Sequence, residues 1–211
     1  MAQVRAADAV APQFDDLGQQ RWAAALGMWT FLGTEVLFFG APLLVYLVAR
    51  FAHADAFAAA SARLQTPLGV ANIAVLLTSS LAMAYADAAA ERGAARRARG
   101  WLLATAALGL VFLAVKGYEW RTEYVEGLLP LAPHAALARG EQLFFDVYLF
   151  LTGLHALHLT IGIGAVAAAV WALGAARAAP RRAAQVRGTA LYWHFVDIVW
   201  IFLLPLLYLV K

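Results

Sequence analysis

Five long apolar runs separated by short polar segments organise this chain, extending from about Trp22 to Val48, Pro67 to Ala90, Trp101 to Lys116, Leu143 to Leu173 and Ala190 to Val210. A helix of about 20 apolar residues crosses a hydrocarbon core of roughly 30 Å. The third run is the shortest of the five. The runs are continuous and rich in Ala and Leu, without the alternation of membrane-barrel strands, and in lipid only helices or closed barrels satisfy their own backbone. The pattern therefore predicts an all-α, polytopic membrane protein built as a bundle of five transmembrane helices. Met1 to Gln20 is polar and acidic, with "DAVAPQFDD" and no apolar core before a cleavage site, so it does not fit a secretory leader. It reads as a polar cytoplasmic tail, residues 1–20, ahead of a five-helix domain at 21–211. Neither an internal repeat nor a second domain is visible.

Composition agrees with this pattern, since 64% of the 211 residues are hydrophobic and only 14% are charged, against about 25% charged in soluble domains. The net charge of +3 is spread over several loops and makes no basic face for nucleic acid. Its distribution bears on topology. With the N-terminus inside, the inner segments hold ten of the Lys and Arg residues, among them Arg92, Arg96, Arg97 and Arg99, then Arg177, Arg181, Arg182 and Arg187. The outer segments hold six, including Arg50, Arg63, Lys116 and Arg121, diluted by Asp55, Glu119, Glu123, Glu126 and Glu141. Positive residues favour the cytoplasmic side, which predicts N-terminus inside and C-terminus outside. Arg96, Arg97, Arg181 and Arg182 are candidates for anionic lipid headgroups.

The candidate chemistry is a set of polar residues within the spans. Glu35 lies near the middle of the first, His155 and His158 near the middle of the fourth, Thr78, Ser79 and Ser80 in the second, and Asp197 in the fifth. A charge at mid-bilayer costs about 3 kcal/mol on insertion scales, so an acid there faces other helices, pairs with a donor or is protonated. His158, with His155 three residues before it on an adjacent part of one helix face, is the natural partner. Glu35, His158 and His155 therefore make a candidate buried polar clasp. Gly153, Gly162 and Gly164 beside them suit close helix approach. With no cysteine and five histidines, disulfides, iron–sulfur clusters and thiolate copper sites are excluded. The histidines do not make a haem–copper centre, and two on one helix face do not bracket a haem. A small proton-coupled transporter using Glu35 and His158 is the alternative from another class, though the broken helices that mark many such sites are missing. Trp22, Trp101, Trp120 and Tyr208 fall near span ends, where such rings favour the interface, while Trp29, Trp193 and Trp200 are deeper and read as packing anchors.

Five stretches, "GMWTFLGTEVLFFG", "NIAVLLTSS", "KGYEW", "FLTGLHALHLTIGIG" and "ALYWHFVDIVWIFLLPLLYLV", occur one per helix region. In that order they closely resemble the cytochrome c oxidase subunit III family, the third subunit of the haem-copper respiratory oxidases, over roughly Trp22 to Tyr208.

The resemblance implies an accessory, non-catalytic subunit of the bacterial cytoplasmic membrane that holds no cofactor or metal of its own. Its expected partners are subunits I and II, which carry haem and copper, possible further respiratory subunits, and membrane lipids, with a bound phospholipid between the helices. It implies support of subunit I in proton uptake and in lifetime during turnover. Glu35 matches the family's membrane-embedded carboxylate that reacts with hydrophobic carbodiimides, and His158 matches the histidine that accompanies it. Glu119 falls on the acidic position after the third helix, and His194, Asp197 and Trp200 fall on the "WHFVD..W" motif. Relative to the long seven-helix pattern, the chain begins at what would be the third helix. Quinol oxidases and certain nitric oxide reductases have similar subunits; Thr34–Glu35 and the full "YWHFVDIVWIF" favour cytochrome c oxidase.

Overall fold

The computed structural model describes residues 10, 12–130, 132, 137–174 and 179–210. Helix α1 spans Leu17–Ala52, and Asp16 caps its start by accepting a hydrogen bond from the Gln19 amide at 2.8 Å, which satisfies one of the first-turn donors. A short α2, Ala54–Ser61, follows, then α3 (Thr66–Glu91), α4 (Ala95–Val125), α5 (Arg139–Gly174) and α6 (Ala179–Tyr208). Five of these, with α6 counted from Arg182, are long and apolar enough to cross a membrane. Among the described residues there is no strand.

Three boundaries differ markedly from the sequence reading, one of them the start of the last helix, at Ala179 rather than Ala190. The first helix begins at Leu17, inside the segment expected to be a polar tail. The third span does not end at Lys116 but continues to Val125, because the charges expected to stop it are turned inward and paired. Glycines follow the ends of both α3 and α4. Gly93, at φ +72°, and Gly127, at φ +74°, occupy the left-handed region that L side chains rarely adopt. After each, the next amide reaches back to close a Schellman turn, Ala94 to the Ala89 carbonyl and Leu128 to the Glu123 carbonyl, both at 2.9 Å.

Helices α3 and α4 form the most extensive pair, α6 lies antiparallel to α3 and beside α5, and α5 closes against α4. Trp193 and Trp200 are fully buried at the centre of this four-helix core. A Cβ on Gly109 would come within 2.8 Å of the Trp193 ring, and one on Gly162 within 3.3 Å, so these two glycines are the seat of that indole. Gly153 and Gly164, expected to do the same, have nothing within 4 Å of a Cβ. Gly164 is exposed and Gly153 half-buried on α5.

Among the described residues, helix α1 packs mainly on α2, α5 and α6. Two hydroxyls fasten this edge to the end of α6, whose last carbonyls have no helical partner. The Tyr46 hydroxyl donates to the Leu206 carbonyl, and Ser61 Oγ donates to the Leu207 carbonyl at 2.8 Å. Trp29, read as a packing anchor, is 63% exposed on this helix. Depth along a span does not determine which way a side chain points. Tyr208, read as an interface residue, is buried instead.

Candidate functional site

The intramembrane polar residues separate into three clusters at different levels rather than one layer. The first joins α1 to α5. His158 Nδ1 lies 2.8 Å from the Leu154 carbonyl, one turn earlier on its own helix, and since a carbonyl only accepts, the Nδ1 proton is fixed there. His158 Nε2 is then left to face Glu35 Oε2 at 3.1 Å. A hydrogen bond between these two acceptor-capable atoms requires one shared proton. If it sits on Glu35, a neutral acid faces a neutral imidazole; if on His158, a carboxylate faces an imidazolium. The net charge of the pair is zero in both cases, which lowers its cost in lipid. Phe39 packs on the imidazole at 4.8 Å between ring centroids, and Tyr192 donates to the His158 carbonyl at 3.1 Å.

His155 is not part of that clasp. Three residues along an α-helix turn the side chain by roughly 60° from its neighbour, and this points His155 into the four-helix core. It is fully buried between Phe112 and Trp200, with ring centroids at 5.4 and 5.0 Å. Both its nitrogens, like Trp200 Nε1, lack a hydrogen-bond partner among the described residues.

The second cluster joins α3 to α6. Ser80 Oγ lies 2.6 Å from His194 Nδ1, and Trp193 Nε1 donates to Ser79 Oγ at 3.0 Å. Asp197 is buried one turn further along α6 and neither of its oxygens has a partner among the described residues. Thr78, on the opposite arc, returns its hydroxyl to the Ala74 carbonyl. Towards the α3–α4 turn, Arg187 bridges Asp87 at 3.4 Å and Glu91.

The third cluster is made of residues that the charge distribution assigns to the outer segments. Lys116, Glu119 and Glu123 are 1%, 0% and 2% exposed. Lys116 Nζ donates to Glu119 Oε2 at 3.0 Å, to the Tyr148 hydroxyl at 2.7 Å and to the Tyr208 hydroxyl at 2.5 Å. The Tyr148 hydroxyl in turn donates to Glu123 Oε1 at 2.7 Å, and that of Tyr208 donates to Glu119 Oε1 at 2.8 Å. Three helices thus meet on one ammonium. Next to it, Trp120 Nε1 donates to Thr152 Oγ1 at 3.3 Å. The spacing of Lys116, Glu119 and Glu123 at i, i+3 and i+7 puts all three on one helix face. That is the signal from which the cluster was legible, had the apolar run not been closed at Lys116.

Of the headgroup candidates, Arg96 and Arg97 are exposed in the first turn of α4. Arg182 reaches the Leu173 carbonyl at 3.4 Å near the end of α5. The Arg181 side chain lies outside the described residues. A groove of about 910 Å³ opens between the first half of α1, the α3–α4 turn and the start of α6, with Arg21, Trp22, Met28, Glu91, Arg187 and Leu191 on its walls. Among the described residues no three His, Asp or Glu side chains gather in a metal-ligating group.

The profile of the family described as cytochrome c oxidase subunit III matches residues 19–210. Cytochrome c oxidase subunit 3 of Thermostichus vulcanus is 31% identical over 187 residues, covering 87% of this chain and 86% of that protein. The probable cytochrome c oxidase subunit 3 of Nocardia farcinica is 29% identical over 187 residues, with 89% and 88% covered. The Synechocystis subunit 3 is 32% identical over 139 residues, covering 65% of this chain and 54% of its own length. The matched region contains all five spans and all three polar clusters, and the chain belongs to the cytochrome c oxidase subunit III family.

Proposed function

We propose that this chain is the accessory subunit of a bacterial haem-copper oxidase of the cytochrome c type, holding no haem or copper itself and serving the catalytic subunit I that it packs against. In this reading, the N-terminus and the arginine-rich turns face the cytoplasm and the C-terminus faces outward. The working domain of this reading is the five-helix bundle, which begins with α1 at Leu17. Subunits I and II supply haem and copper. The bundle covers part of subunit I and so sustains its proton uptake and its lifetime in turnover.

The observation that carries this reading is the closure of the Glu35–His158 pair. Each ring nitrogen of His158 is already engaged, one by the Leu154 carbonyl at 2.8 Å and the other by Glu35 at 3.1 Å. A carrier needs such groups to exchange partners with a substrate or with water. Here they tie α1 to α5, a structural role. Glu119 acts alike as a tie between α4 and α6. His194 and Trp200 hold α6 in place through Ser80 and the aromatic core, and Asp197 lies between them. The groove beside Arg21 and Trp22 suits an anionic phospholipid, its acyl chains along the apolar walls and its phosphate at Arg21; Arg96, Arg97 and Arg182 meet headgroups of surrounding lipid.

Purification in mild detergent, with mass spectrometry of the partners and a reduced-minus-oxidised optical spectrum, tests the proposal. Co-purification of a haem- and copper-bearing subunit I supports it, and the accompanying subunits identify the electron donor, cytochrome c or quinol. A chain that emerges alone and then moves protons or a solute after reconstitution overturns it in favour of a transporter.

A further inference from the structure

The Lys116 cluster contains two carboxylates and one cation, in a place where an unbalanced charge is costly. Its donors can be counted among the described residues, where the Tyr148 and Tyr208 hydroxyls also lie 3.3 Å apart. The three N–H groups of Lys116 go to Glu119 Oε2, the Tyr148 hydroxyl and the Tyr208 hydroxyl. The two phenol protons go to Glu123 Oε1 and Glu119 Oε1. Glu119 therefore accepts on both oxygens, one of them from the ammonium. Glu123 accepts a single neutral hydroxyl on Oε1, and its Oε2 is buried with no partner among the described residues.

Among the described residues, no neighbouring element supplies a second cation. Helix α3 presents Gly69 against Tyr208 at this level, α5 contributes Tyr148, and α6 contributes Tyr208. Glu126, in the turn beyond, is exposed and has the same sign as Glu123. The ion pair of Arg63 with Glu141 is closed on itself at 3.3 Å. With both glutamates ionised, the cluster would hold a net negative charge whose bare oxygen has no donor. An unpaired buried ion carries an effective penalty of several kcal/mol. Protonation of the carboxyl that lacks a donor removes the penalty without breaking any hydrogen bond.

We propose that Glu123 is a proton-binding site, holding one exchangeable proton on Oε2, while Glu119 is the permanently ion-paired carboxylate of Lys116. Tyr148 connects the two, because its hydroxyl accepts from the ammonium and donates to the protonated acid. Glu123 sits in the last turn of α4, and its carbonyl accepts the amide of Leu128 in the closing turn. The proton therefore lies within one turn of the polar rim and exchanges with the aqueous face at that end of the bundle. This assignment stands independently of whether the chain sits beside a catalytic subunit.

The test is infrared spectroscopy of the full-length chain in lipid nanodiscs, in light and heavy water, with Glu123→Gln as reference. The expected wild-type-minus-variant difference is one carboxylic acid C=O band per chain that shifts down in heavy water, with the thermal midpoint of the variant unchanged. A carboxylate stretch in that difference instead would overturn the proposal. So would failure of the Glu123→Gln chain to fold, since a neutral amide replaces a neutral acid of the same shape. Lys116→Met provides a second reading from the same sample type: removal of the cation protonates Glu119 and adds a second acid band. Absence of that second band in folded Lys116→Met chain would overturn the division of roles between the two glutamates.

Discussion

The Glu35–His158 pair and the Lys116 cluster both place acids in the membrane, but they solve the problem differently. Glu35 sits at the edge of the bundle, its side chain 16% exposed and that of His158 10%. It uses one partner that shares one proton. The Lys116–Glu119 pair is 1% and 0% exposed, and it uses a lysine, a second glutamate and two tyrosines from three helices. A group near the lipid-facing surface stays inexpensive by being neutral as a pair. A group deep in the core tolerates full charge only where every donor and acceptor is engaged. The core cluster is therefore the less forgiving of the two.

The largest expected effect follows from that asymmetry. Lys116→Ala leaves Glu119 buried without its cation and removes the shared donor of both tyrosines. Breaking a buried pair by deleting one partner costs roughly 3–5 kcal/mol. We expect a large fall in the denaturant midpoint of the purified chain, together with reduced assembly. If Lys116→Ala unfolds at the wild-type midpoint, the cluster is not the tie between α4, α5 and α6 that its geometry describes.

Next in size is a contrast between two glycines of the bundle. A methyl at Gly109 would lie 2.8 Å from Trp193 Cη2. That ring cannot easily retreat, because it is fully buried and its Nε1 is bonded to Ser79 Oγ. Overpacking of a fixed core costs about 1–3 kcal/mol, so Gly109→Ala is expected to lower thermal stability measurably. Gly164→Ala meets nothing within 4 Å and should match or slightly exceed wild type, since alanine favours the helix. Equal behaviour of the two variants would show that the Trp193 seat relaxes freely.

These contrasts also show which features were readable in the chain. The five spans were visible because lipid demands long uninterrupted apolar runs, and Glu35 with His158 stood out as isolated polar residues against that background. Lys116, Glu119 and Glu123 lack that contrast, being near one another and near a span end, and so resemble loop charge. Their burial depends on Tyr148 and Tyr208, which are 32 and 92 residues away from Lys116. Hydropathy along the chain contains no information about such partners. His155 and Trp29 were misplaced for a related reason. Depth follows from position in the run, but facing depends on which neighbour covers each arc of the helix.

The clasp itself should respond more mildly. Glu35→Gln keeps a donor opposite His158 Nε2 and the neutrality of the pair, and we expect a loss below about 1 kcal/mol. Glu35→Ala leaves that nitrogen without a partner and should cost about 1–2 kcal/mol, read as a lower unfolding midpoint; under the proposed accessory role, the haem spectrum of the co-purified complex should stay intact. Loss of haem from an assembled Glu35→Ala complex would contradict the accessory role.

The smallest effect is expected where the chemistry most resembles that of Lys116. Arg63 and Glu141 pair at 3.3 Å, close to the 3.0 Å of Lys116 and Glu119, and the side chains involved are 45% and 15% exposed. Water and salt screen this bridge, and the entropy of holding a long side chain offsets most of its attraction, so exposed pairs contribute about 0–1 kcal/mol. Arg63→Ala should therefore leave the unfolding midpoint within about 0.5 kcal/mol of wild type, the usual range for surface substitutions, and any small loss should vanish in high salt. The loss in Lys116→Ala should persist under the same salt, because no ion reaches a side chain that is 1% exposed. If salt erased both losses alike, water would have to reach Lys116, and the distinction between the edge and the core of this bundle would fail.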